Sequence, residues 1–71
     1  MKYYIAEGPL KEFNSKWLVS YYKINTTGFA NIIRIWPNGT ITKDDWYVNP
    51  AFLEKYCKEI TEEEYNLMLE L

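Results

Sequence analysis

Apolar residues are not spread evenly along this chain, and their period changes once. From Lys2 to Glu7 the segment Tyr3-Tyr4-Ile5 is rich in strand formers and stops at Gly8-Pro9, so it predicts a first strand. A connector follows over residues 8–15, with Phe13 positioned to pin it to the body and Asn14-Ser15 marking a turn. Residues 16–24 carry Trp17, Leu18, Val19, Tyr21, Tyr22 and Ile24, apolar on both faces, and predict the strongest strand. Asn25-Thr26-Thr27-Gly28 reverses the chain. Residues 29–36 then alternate, with Phe29, Asn31, Ile33 and Ile35 on one face and Ala30, Ile32, Arg34 and Trp36 on the other. Pro37-Asn38-Gly39-Thr40 predicts a second turn, with Asn-Gly at the positions that favour positive φ, and Thr40–Lys43 a short charged edge strand.

Beyond Lys43 the period lengthens. Asp44-Asp45-Trp46-Tyr47-Val48 bridges to a helical half. Asn49 predicts an N-cap with Pro50 at the first helical position, and Phe52, Leu53, Tyr56, Cys57 and Ile60 recur at helical spacing. The expectation is a helix over 50–58, although the alternation of Tyr56, Lys58 and Ile60 also permits a last strand there. Thr61-Glu62-Glu63-Glu64 reads as a capping box, opening a final helix to about Glu70 that buries Tyr65, Met68 and Leu69. The predicted fold class is α+β: an antiparallel hairpin or meander sheet of three to four strands, followed by two short C-terminal helices packed on one face, all in a single domain over residues 1–71.

Composition changes this picture in two ways. A chain of 71 residues has a thin core, yet 18% of it is aromatic. That is more aromatic surface than so small an interior encloses, which predicts an exposed aromatic patch. The sheet face away from the helices should meet a partner, a second copy or the 1–15 segment. Charge is also divided. Residues 1–43 hold six basic and two acidic residues, +4, and residues 44–71 hold two basic and eight acidic ones, −6. No apolar run has the length of a membrane span and the N-terminus has no signal-peptide pattern, so a cytoplasmic setting without membrane contact is expected. The two Asn-x-Thr sites, at Asn25 and Asn38, then read as turns rather than glycan acceptors.

Candidate chemistry is sparse. Cys57 is the one cysteine and histidine is absent, which removes the intramolecular disulfide, the usual zinc sets and the usual base for a thiolate. Asp44 and Asp45 are adjacent, and in extended backbone adjacent side chains point to opposite faces, so they do not converge on a cation. There is no phosphate loop, nucleophile elbow or HExxH pattern. The expectation is a non-enzymatic protein without cofactor or metal.

Thr27-Gly28-Phe29-Ala30-Asn31-Ile32-Ile33-Arg34 resembles the first motif of RNA-recognition domains in its Gly-Phe-Ala start. It departs at Thr27, Asn31 and Arg34, where that motif has a basic residue and two aromatics, and residues 8–15 are too few for the helix that family requires. A looser single-stranded nucleic-acid platform would stack bases on Trp17, Tyr21 or Tyr22 with Phe29 and hold phosphates with Lys16, Lys23 and Arg34. The acidic half opposes it.

Trp17-Leu18-Val19-Ser20-Tyr21, Thr27-Gly28-Phe29-Ala30-Asn31 and Ile60-Thr61-Glu62-Glu63-Glu64-Tyr65 together resemble small accessory proteins of phages and other mobile elements of bacteria. In those, a Val-Ser-Tyr strand precedes a Gly-Phe-Gly-Asn-like turn and a Ser/Thr-Glu-Glu-Asp/Glu-Tyr helix start. Ala30 stands where that family has its second glycine. The resemblance implies a binder that blocks a host or defence protein, for example a CRISPR-type one. The expected binding residues are Trp17, Tyr21, Phe29 and Arg34, with Trp36 and Trp46 as further anchors. A protein partner leads, and single-stranded nucleic acid or a structural homodimer are the alternatives.

Overall fold

The computed structural model describes residues 1–8 and 16–71. Phe13 and the Asn14-Ser15 turn lie outside the described residues. Five strands and two helices follow in the order β1 (Lys2–Glu7), β2 (Val19–Ile24), β3 (Phe29–Ile35), β4 (Ile41–Tyr47), α1 (Pro50–Tyr56), β5 (Lys58–Ile60) and α2 (Glu62–Leu69). The strands form one sheet in the order β4-β3-β2-β1-β5, with every neighbouring pair antiparallel. The fold is α+β.

Two tight turns build the meander the same way. Gly28 N–H donates to the Asn25 carbonyl and Asn25 N–H to the Phe29 carbonyl, and Gly28 holds a φ of 93°. Gly39 N–H donates to Trp36, Trp36 N–H donates to Thr40, and Gly39 holds a φ of 86°. In each a four-residue turn ends in a glycine whose left-handed backbone restores the strand direction. The second turn is therefore centred on Pro37 and Asn38, with Gly39 after it, rather than on Asn38-Gly39. Asn25 strengthens the first turn, its side-chain oxygen accepting from the amides of Thr27 (2.9 Å) and Phe29 (3.1 Å).

Register assigns the faces. Tyr4, Tyr22 and Ile32 lie abreast, flanked by Ala6, Ser20, Ile24 and Ala30, and this face meets Leu53 of α1. All but Ser20 belong to the main core, and Leu53 has no exposed surface at all. The opposite face carries Tyr3, Asn31 and Ile33, and α2 packs there: the Tyr65 ring sits 5.5 Å from that of Tyr3 and its hydroxyl donates to the Asn31 carbonyl at 3.3 Å.

The two helices thus occupy opposite faces, not one. The reason is β5, which pairs with β1 at the far edge of the sheet and carries the chain around that edge between α1 and α2. The segment 58–60, left open between helix and strand, is strand. Both N-caps form as expected. The Asn49 side chain accepts from the Ala51 amide at 3.0 Å, and Thr61 and Glu64 close their reciprocal capping box. Of the residues expected inward on α2, Tyr65 is buried and Met68 partly so, while Leu69 is 42% exposed. One eight-residue helix has room for one deep anchor on this face.

The edge strand differs most from expectation. It runs to Tyr47, so Asp44 and Asp45 lie inside a strand rather than at its end. Their opposed directions are as alternation requires: Asp44 accepts from Arg34 on the α1 face at 3.0 Å, and Asp45 accepts from the Asn31 side chain on the α2 face at 2.7 Å. Cross-strand partners hold these two carboxylates in a segment whose intrinsic preference is for a loop.

Candidate functional site

Of the six residues expected to bind, the structure gathers four on the α1 face and leaves two on the other. Arg34 and Trp46 point to the α1 face by strand parity. Trp17 joins them because it lies before β2, beyond a bend at Leu18, and is not bound by that strand's alternation. Its ring lies 4.6 Å under the Arg34 guanidinium and meets the Trp36 ring edge-on at 5.9 Å. Trp36 is fixed in turn by its indole N–H donating to the Thr42 hydroxyl at 2.8 Å. Tyr21 and Phe29 fall on the α2 face, where Phe29 packs edge-on against Tyr47 at 5.2 Å. A single face presenting all six does not form, because residues of odd and even number in β2 and β3 diverge.

Three of the four, Trp17, Arg34 and Trp46, converge on a cleft of ≈ 390 Å³, and Trp36 backs it through Trp17. Tyr22 and Ile32 lie at its base, Trp17 and Arg34 line one side, and Trp46, Tyr47 and Phe52 line the other. Sequence reasoning missed Tyr47 and Phe52. Phe52 is brought in by α1, whose placement over this face no local pattern reveals. Tyr47 had a readable signal in its place beside Trp46, obscured by treating 44–48 as a bridge.

Two contrasts define the cleft's character. Its base is built and dry: Ser20 has no exposed surface and donates to the Tyr22 phenol oxygen at 3.0 Å, and burial pushes the Tyr22 pKa up, the Ser20 bond opposing only in part. Its rim is the reverse. Trp46 stands there 70% exposed, while Tyr47, its neighbour on the outermost strand and 67% exposed, turns its ring to the α2 face against Phe29. On the inner wall the Trp17 indole N–H and the Arg34 Nε–H are sealed from water and find no acceptor among the described residues. The stacked rings and guanidinium therefore hold their arrangement by ring contact and charge rather than by hydrogen bonds at those two atoms.

Arg34 pairs with Asp44, a half-exposed contact that fixes the guanidinium plane more than it stabilises the fold. Cys57 caps α1 and packs against the core, where burial raises its thiol pKa. That is the setting of a structural cysteine, not a nucleophile. Among the described residues no group of three or more carboxylates, cysteines or histidines is placed to hold a metal ion. No described helix is long and apolar enough to cross a membrane.

No protein-family model matches the chain, and no curated protein or solved structure matches it significantly.

Proposed function

We propose that this protein is a non-enzymatic protein-binding module whose contact surface is the outer rim of the α1-side cleft, led by Trp46. The observation that carries the reading is the exposure of Trp46, 70% of whose surface is open, on an edge strand beside a cleft whose base is buried. Large aromatics and arginine dominate the energetics of protein interfaces because they desolvate much area at little entropic cost. Trp17 and Arg34 supply the fixed inner wall against which an inserted apolar side chain would pack. An inhibitor of a host or defence protein, as the resemblance to mobile-element proteins implies, needs only such occlusion and no chemistry.

The nucleic-acid reading has less support in the geometry. The bases would stack on Trp17, Tyr21 or Tyr22 with Phe29, but Tyr22 is buried, Trp17 is on the α1 face, and Tyr21 and Phe29 share the face on which α2 packs. Lys23 and Arg34 likewise fall on opposite faces, and Arg34 already holds Asp44. Tyr21, Phe29 and Lys23 do share the α2 face, but Asp45 stands on that face as Asp44 does on the other, so acidic groups accompany the rings on both.

The test is capture from bacterial lysate on the immobilised protein, followed by titration of the purified captured protein against wild type, Trp46→Ala and Tyr47→Ala. Trp46→Ala is expected to weaken binding by about 2 kcal/mol, roughly thirtyfold, and Tyr47→Ala, whose ring lies on the α2 face, to leave it within about threefold of wild type, with the thermal midpoint nearly unchanged in both because the side chains are mostly in solvent. Equal affinity of Trp46→Ala and wild type would contradict the reading. Salt-sensitive binding of labelled oligonucleotides instead would replace it with the nucleic-acid one.

A further inference from the structure

β4 ends the sheet order, so among the described residues one side of its backbone has no strand beside it. Which amides face outward follows from the hydrogen bonds at its two ends. Trp36 N–H donates to the Thr40 carbonyl at 2.9 Å, and Val48 N–H donates to the Gly28 carbonyl at 2.8 Å. Both fix residues of even number as the ones bonded to β3, and antiparallel ladders alternate. Thr42, Asp44 and Trp46 are therefore spoken for within the chain, while Ile41, Lys43, Asp45 and Tyr47 direct N–H and C=O away from it.

We propose that β4 pairs antiparallel with β4 of a second copy, about a two-fold axis at Asp44, joining the two sheets into one of ten strands. Three features select that register. It sets Lys43 opposite Asp45 of the second copy, and symmetry repeats the pair. It sets Trp46 opposite Thr42 of the second copy, beside an open hollow of ≈ 400 Å³ lined by Trp36, Pro37, Asn38, Thr40 and Thr42. The most exposed of the described aromatics in each copy so meets the hollow of the other. It also sets Tyr47 on Ile41, apolar on apolar. The neighbouring registers are worse: an axis at Lys43 opposes two lysines and lays Ile41 on Asp45, and an axis at Asp45 opposes two aspartates and lays Asp44 on Trp46. At the chosen axis the two Asp44 carboxylates do approach each other, and each carries its own Arg34 at 3.0 Å.

Edge strands are ordinarily protected by charge. Here the charges Lys43-Asp44-Asp45 repel a generic apolar strand, yet Lys43 and Asp45 are complementary to each other in the reversed copy and each Asp44 keeps its own Arg34, which makes the edge selective rather than closed. The inference goes beyond the binding module proposed above and shares Trp46 with it. Pairing would extend that module's rim, since Trp36 and Thr42 of the second copy come to lie beside Trp46.

The test is sedimentation of the full chain across a concentration series, with circular dichroism and thermal melts to verify folding. Wild type is expected to dimerise. Lys43→Asp and Asp45→Lys, each alone, are expected to raise the dissociation constant about tenfold, and the two together to return it to within about threefold of wild type, since the cross-strand pairs are rebuilt in reverse. Lys43→Pro removes an outward amide that the intrachain ladder does not use, so it is expected to leave a folded monomer. A wild type that stays monomeric up to roughly millimolar concentration, a double variant no better than the singles, or a Lys43→Pro variant that still dimerises would each overturn the pairing. Loss of dimerisation with retained capture of a foreign protein overturns this inference alone and leaves the binding module standing.

Discussion

At the scale of single residues, the side chains that matter are those whose environment contradicts their type. Tyr22 is a polar aromatic with 2% of its surface exposed, and its phenol is held by a serine that is wholly buried. Desolvation raises its pKa, and the same cause raises those of Tyr4 and Tyr65. Because the folded values lie above the unfolded one of about 10, the stability these tyrosines lend is fully present below pH ~10 and is lost as pH rises through the folded values. Alkaline unfolding is expected, and phenolate absorbance should rise together with the loss of circular dichroism rather than before it. Tyr22→Phe should cost about 1–3 kcal/mol at neutral pH, by leaving the Ser20 hydroxyl buried without its partner, and should move the alkaline midpoint upward. Denaturant melts of both proteins at neutral and alkaline pH check this. Nothing about Tyr22 in the sequence distinguished it from Tyr21. Both stand in one strong strand, and only the register with β3 and the arrival of α1 bury one and leave the other partly exposed.

At the scale of elements, caps and turns were legible because their chemistry is local. Asn49, Thr61 with Glu64, and the glycines after each turn act within a few residues of themselves. What was not legible depended on distant partners. β4 extends through Asp44 and Asp45 because Arg34 and Asn31 on the adjacent strand receive them. β5 exists because β1 offers it an edge, and three residues of alternating pattern cannot announce that from within. Gly28 shows how a turn couples to such distant structure. A Cβ there would stand 3.0 Å from the Val48 carbonyl oxygen, at the junction of β4 and α1, and its φ of 93° is costly for any side chain. Gly39 shares the positive φ but faces open space. Gly28→Ala should therefore cost about 1–3 kcal/mol and Gly39→Ala less, about 1–2 kcal/mol. Paired urea melts will show the order, and equal losses would contradict the close approach.

At the scale of the whole molecule, the expected surplus of aromatic surface is present, but it is distributed by the sheet rather than gathered on one open face. The helices cover part of each face, and the aromatics left most exposed are those on the outermost strand. The charge division along the chain is likewise folded back on itself, with acidic β4 residues bonded to Asn31 and Arg34 of the basic half. Among the described residues what remains open is an edge: seven residues of strand, two exposed rings and four outward amides. Residue-resolved amide exchange along β4, followed by NMR at low and high protein concentration, tests this most directly. The amides of Thr42, Asp44 and Trp46 should be protected at both, while those of Ile41, Lys43, Asp45 and Tyr47 exchange rapidly when dilute and slow as concentration rises. Rapid exchange of those four amides at every concentration would contradict the account.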